Sequence, residues 1–224
     1  MFKIIETRKH TMATITGQMV KDLREKTGVG PLDCKKALEQ FDGDLEKAAD
    51  FLREKGLAKA NKKLTSGRSM NEGLIEIYQH FNKRLAVIVE VNCETDFVAN
   101  TDAFKLFVRE VAMHIASLSP QYVSREQIPA DVLEHERQIQ TNRAIQEGKP
   151  AAMADKVAEG RMAAYYEEVV LMDQKYFRDD GKASRSIADL LRETVTQVGE
   201  SIQIARFNRY AIGESAAAEE PTEE

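Results

Sequence analysis

The chain has 224 residues, 42% of them hydrophobic and 31% charged, with two cysteines and a formal net charge of -5. That is enough apolar material for one good core or two smaller ones, and the acidic balance argues against a nucleic-acid backbone as the main partner. No apolar run approaches the ~18 residues of a membrane span, and Cys34 and Cys93 stand far apart in no C-x-x-C pattern, which excludes a disulfide framework or a zinc knuckle.

Residues 1–15 are expected to be a disordered N-terminal extension, within which residues 1–11 read as disordered or as an alternative start, because MFKIIETRKHT has a short apolar patch followed by charges and Met12 opens a cleaner start. It does not have the pattern of a secretory signal. Residues 16–56 predict a three-helix module. Thr16 caps a helix carrying Val20 and Leu23, which Gly28 ends. Pro31 opens a second helix with Cys34, Ala37 and Leu38 on one face. After an Asp42-Gly43 turn, Asp44 caps a third with Leu45, Ala48, Ala49 and Leu52 inward, stopped by Gly56. Residues 57–72 then read as a basic, solvated linker carrying Lys59, Lys62, Lys63 and Arg68.

From residue 73 the hydrophobic period changes. GLIEIYQHF and RLAVIVEVN predict a β-hairpin turning at Asn82-Lys83, with Leu85, Val87, Val89 and Val91 on one face. NCETDFVAN follows at residues 92–100, and then a helix with Phe104, Phe107, Val108, Val111, Ala112 and Ile115 at helical spacing, capped by Asn100 or Thr101. Residues 131–170 predict a helical hairpin broken at Gly148 and Pro150, with Asp131 as cap and Val132, Ile139 and Ile145 as its apolar points. VVLMDQKYFRDD is expected to be a short extended piece ending in an Asp179-Asp180-Gly181 turn. A helix with Ile187, Leu190, Leu191 and Val195 inward precedes a last strand in which Ile202, Ile204 and Arg206 alternate against Gln203, Ala205 and Phe207. That strand should join the hairpin, giving an α+β core over 73–214 with an antiparallel sheet packed against helices. Residues 215–224 are expected to be an acidic, disordered tail.

No set of residues in the sequence has the makings of an enzyme site. GVGPLDCKK lacks the spacing and the Ser/Thr of a phosphate-binding loop. His10, His80, His114 and His135 are scattered, and Ile139 stands where a second zinc ligand would follow His135-Glu136. Cys93 has no base placed beside it, and Asp179-Asp180 reads as a turn former. No catalytic residue, cofactor or metal is therefore expected. Composition alone would make Phe97 a core cap and Asp96 a turn cap.

The ordered blocks VKDLREKTGVGPLDCKKALEQFDGDLEKAADFLREKG, EGLIEIY, VIVEVNCETDFVAN, EGKPAAMADKVAEGRM and RFNRYAIGE together resemble the elongation factor Ts family, from Met12 to Glu214. The resemblance implies a guanine nucleotide exchange factor for elongation factor Tu, found in the cytoplasm and with no membrane segment. It implies that the amino-terminal module is ubiquitin-associated-like and holds the GTPase domain. It also implies that Thr95, Asp96, Phe97 and Val98 form the tip that disturbs the partner's Mg²⁺ site. TDAFKLFVREVAMHIASLSPQYV runs on without the second β-hairpin block of the long family form, which implies the short form, in which a homodimer can supply the missing half, with the 131–170 hairpin or the sheet edge as the candidate self-association surface. Two readings stand beside this one: an adaptor that docks helices on the three-helix module, and an RNA-binding protein using Lys59–Arg68.

Overall fold

The structure is a computed structural model that describes residues 14–64, 67, 69–179 and 184–214. Most of the expected extension, the acidic tail, His10, Arg68 and the Asp180-Gly181 end of the expected turn lie outside the described residues. The chain divides into two compact units between Lys62 and Lys63. Its class is α+β.

In the first unit, helix α1 spans Gly17–Thr27, α2 Pro31–Gln40 and α3 Leu45–Leu64. The three starts follow from capping chemistry. Thr16 Oγ1 accepts from the Met19 N–H at 3.3 Å, Pro31 occupies the first turn of α2, and Asp44 Oδ1 accepts from the Glu46 and Lys47 N–H groups at 3.1 Å each. Leu23, Cys34, Ala37, Leu38, Ala48, Ala49 and Leu52 form the core, with Phe41 and Phe51 packed against it. Gly56 does not stop α3. The helix runs through it to Leu64, so the first half of the expected linker is helical. A mid-helix glycine costs only about 1 kcal/mol, and the Leu-Ala-Lys-Ala run that follows is built of strong helix formers.

In the second unit, strands β1 (Glu72–Gln79), β2 (Leu85–Cys93) and β3 (Ile202–Ala211) form one antiparallel sheet in the order β1-β2-β3. Helix α4 is a single turn, Asp96–Ala99, and α5 spans Asp102–Leu118. Phe104, Phe107, Val108, Val111, Ala112 and Ile115 of α5 are all buried, and the helix lies against β1 and β2. The hairpin turns where Lys83, at φ 58°, donates its N–H to the His80 carbonyl at 2.8 Å. Gly73 sits where the β2 backbone leaves no room for a side chain: a Cβ there would stand 2.2 Å from the Val91 carbonyl oxygen.

Helices α6 (Ala130–Gln146) and α7 (Ala151–Val169) pack on one another, and α8 spans Ile187–Val198. Four details depart from the sequence reading. Pro129 precedes α6 at the cap position and Asp131 lies in its first turn without capping it, because the chain enters the helix two residues earlier than a cap at Asp131 would place it. Ile139 and Ile145 face solvent, whereas Ala144, Ala154 and Ala158 are buried, since small side chains let two helix backbones approach closely. Residues 170–178 form turns rather than an extended piece, with isolated bridges at Val170 and Lys175 and backbone bonds such as Leu171 N–H to the Tyr122 carbonyl at 2.9 Å. In β3, a bulge between the Glu90↔Arg206 and Val91↔Ile204 pairs leaves Ala205 unmatched. Ile202 and Ile204 are buried, but beyond the bulge the inward parity passes to the odd residues and Arg206 faces out. One inserted residue exchanges the two faces of a strand.

Candidate functional site

Strand β2 is hydrogen-bonded on both sides, and its pairing with β3 ends at Cys93↔Ile202. Just beyond, side chains take over the ladder's role. The Ser201 N–H donates to Glu94 Oε1 at 2.9 Å, and the Thr95 N–H donates to Glu200 Oε2 at 3.1 Å. The Thr95 hydroxyl also lies 2.9 Å from Glu200 Oε1.

Thr95 then caps α4. Its backbone is extended, and its Oγ1 accepts from the Val98 N–H at 3.4 Å. Thr101 closes the far side: its hydroxyl donates to the Val98 carbonyl at 2.8 Å and accepts from the Phe104 N–H at 3.3 Å, starting α5. Thr101, not Asn100, is the cap of that helix. A turn of four residues has too few internal hydrogen bonds to persist alone, so these two hydroxyls and the burial of Val98 and Ala99 hold it.

The four residues of the TDFV stretch thus have different surroundings. Val98 is buried and Thr95 half-buried, while Asp96 and Phe97 face solvent. Phe97 is 81% exposed, which rules out the core-cap reading. Leaving such a ring in water forgoes about 1.5–3 kcal/mol of burial. The Asp96 carbonyl accepts from the Asn100 side chain at 2.9 Å and from the Asn100 N–H at 3.1 Å.

The groups that could have done other chemistry have structural roles. Burial, and then the Glu200 charge, push the Cys93 thiol up, and the thiol donates to the Thr95 carbonyl at 3.1 Å. It stays protonated and is no nucleophile. His114 is fully buried in α5. Its Nδ1 accepts from the Phe177 N–H at 3.3 Å, so its Nε2–H donates to Gln174 Oε1 at 3.0 Å. Burial lowers its pKa to about 4, which keeps it neutral. Asp179 shapes a turn: it accepts from the Arg185 N–H at 3.0 Å and from its guanidinium, which holds the carboxyl down at about 2. Among the described residues, no three His, Cys, Asp or Glu side chains are grouped to hold a metal ion, and no helix is long and apolar enough to cross a membrane.

Glu94, Glu200 and Ser201 were missed in the sequence. Glu200 is 105 residues from Thr95, and only the register of β2 on β3 brings it there. The expectation that the last strand joins the hairpin carried that signal, had its register been followed to the strand ends.

A family profile described as Elongation factor TS matches residues 35–214. Among curated proteins named Elongation factor Ts, that of Thermoanaerobacter sp. is 54% identical over 200 residues, covering 89% of this chain and 96% of the relative. That of Caldanaerobacter subterraneus subsp. tengcongensis is 52% identical over 200 residues, covering 89% and 98%. That of Desulfosudis oleivorans is 50% identical over 203 residues, covering 91% and 100%. The ordered blocks, the α+β fold and matches of this length agree, and the chain belongs to the elongation factor Ts family.

Proposed function

We propose that the chain is a guanine nucleotide exchange factor for elongation factor Tu, working in the cytoplasm and making or breaking no covalent bond. Thr95, Asp96, Phe97 and Val98 are the tip that disturbs the GTPase's Mg²⁺ site. Phe97 is the wedge, Asp96 the charged point beside it, and Thr95 and Val98 the anchors beneath. The observation that carries this reading is the large aromatic ring left in water on a turn whose neighbours Val98 and Ala99 are buried. A ring presented on a rigid base loses little ordering entropy when it docks.

Mg²⁺ neutralises the nucleotide diphosphate, so moving the groups that hold it lets GDP leave faster. Factor and nucleotide weaken each other reciprocally, and a weakening of about 10⁴ requires about 5.5 kcal/mol of coupling. One buried Phe supplies about 1.5–3 kcal/mol. The three-helix module, taken as ubiquitin-associated-like and as the part that holds the GTPase domain, and the sheet supply the remaining binding energy.

Self-association belongs to the same proposal. Ile75, Ile77, Ile88 and Tyr210, between 40% and 66% exposed, share the sheet face opposite α5. These apolar side chains, spread over three strands beside the Glu90–Arg206 ion pair on the same face, suit a second copy of the chain better than water, and we assign the face as the homodimer contact.

The direct test loads elongation factor Tu with a fluorescent GDP and follows its release into excess unlabelled GDP. The release rate should rise with added chain and saturate. A rate that stays at the spontaneous value when chain exceeds GTPase would defeat the proposal.

A further inference from the structure

We propose that Glu200 is the positioning residue of the exchange tip: its one carboxylate grips Thr95 by backbone and side chain together, and so sets the direction of Phe97. The inference rests on the proposed reading of Thr95–Val98 as that tip.

The geometry is specific. Helix α8 ends at Gly199, whose φ of 80° turns the chain so that Glu200 leads directly into β3, beside the end of β2. Glu200 Oε2 accepts the Thr95 N–H at 3.1 Å, and Oε1 lies 2.9 Å from Thr95 Oγ1. Thr95 Oγ1 already accepts from the Val98 N–H at 3.4 Å. A hydroxyl has one hydrogen. The carboxylate takes it, and the lone pair is thereby turned toward the helix. A freely rotating hydroxyl becomes a fixed cap.

The bond also runs in the opposite direction. The Ser201 N–H donates to Glu94 Oε1 at 2.9 Å, and Ser201 is buried. Glu94 and Glu200, just beyond two adjacent strand ends, each accept the N–H of the residue that follows the other: Ser201 and Thr95. Bonds to an ionised acceptor are shorter and stronger than neutral ones. The ladder stops at Cys93↔Ile202, so beyond it these contacts join the Cys93 thiol, the Thr101 hydroxyl and the burial of Val98 and Ala99 in holding the turn. Glu200 is half-buried and belongs to the second unit, as does the tip. Its effect on Phe97 is therefore exerted inside one compact body.

The test compares full-length parent, Glu200→Gln, Glu200→Ala, Phe97→Ala and the double variants. The first readout needs no partner: amide hydrogen exchange over residues 95–99 in the free chain. Loss of a charge-assisted bond should speed it by roughly tenfold in Glu200→Ala and less in Glu200→Gln, which keeps one acceptor oxygen. The second is GDP release from elongation factor Tu at saturating factor, read beside the dissociation constant. Release should fall about tenfold in Glu200→Ala while affinity changes by less than about threefold, because the grip orients rather than binds. The third is coupling: in the Phe97→Ala background, removing Glu200 should cost release nothing more. Unchanged exchange at residues 95–99, or a loss that sits wholly in affinity, or full additivity with Phe97→Ala, overturns the assignment. If Glu200→Ala does not fold, the near-isosteric Glu200→Gln carries the same comparisons. If Phe97→Ala releases GDP at the parent rate, the tip reading falls and the positioning role with it. Parent-like release by Glu200 variants beside a slow Phe97→Ala overturns the positioning role alone.

Discussion

Phe97 and His114 carry opposite consequences of burial. Phe97 contributes little to the fold, because its ring lies in water. Phe97→Ala should leave the unfolding free energy within about 0.5 kcal/mol of the parent. It should nevertheless slow GDP release from elongation factor Tu by more than it weakens binding, as stopped-flow traces at several factor concentrations would reveal. Equal release rates for mutant and parent would refute the wedge. His114 behaves the other way. Its proton affinity is depressed by burial, to a pKa of about 4 from an ordinary 6.5, so the unfolded chain binds more protons between those values. The stability it allows is fully present above about pH 6.5 and is lost as pH falls toward 4, by about 3 kcal/mol across the window. Urea midpoints measured from pH 7 to 4 should drop accordingly, and His114→Gln should flatten that drop. A parallel decline in both proteins would assign the acid sensitivity to other groups.

At the scale of elements, the contact between β1 and β2 depends on one missing side chain. A Cβ on Gly73 would stand 2.2 Å from the Val91 carbonyl oxygen, backbone that cannot swing aside. Gly73→Ala should cost about 1–3 kcal/mol, read as a fall in the denaturation midpoint with little change in slope. A parent-like midpoint would mean that the strands separate there without penalty. The elements themselves were largely legible in the sequence, for identifiable reasons. The stripe of Phe104, Phe107, Val108, Val111, Ala112 and Ile115 on α5 is local information with a helical period, and Thr16, Asp44 and Thr101 act as caps through bonds to N–H groups two or three residues away. Other features escape local reading. Gly56 has the look of punctuation, but one glycine cannot outweigh strong helix formers on both sides. The bulge at Ala205 and the grip of Glu200 on Thr95 depend on which strand lies alongside, and no local period encodes that. The exposure of Phe97 was legible only through the family resemblance, since its apolar character alone argues for the core.

At the scale of the whole molecule, the sheet face bearing Ile77 and Ile88 is where association is expected. These two side chains are paired directly across β1 and β2. Ile77→Lys on this solvent-facing side should leave the fold intact and shift light scattering from dimer toward monomer at micromolar concentration. A parent that is monomeric throughout that range, or a variant as dimeric as the parent, would remove the face from consideration.

Because β2 alone is laced on both flanks, the tip at its end is mounted on a strut rather than a spring. A push on Phe97 along that axis is shared as shear between two ladders of hydrogen bonds. Such ladders do not yield gradually, since the smallest slip is one residue and would turn every inward valine to the outside. In the proposed complex, a ring mounted this way would pass the deformation to the softer body it meets.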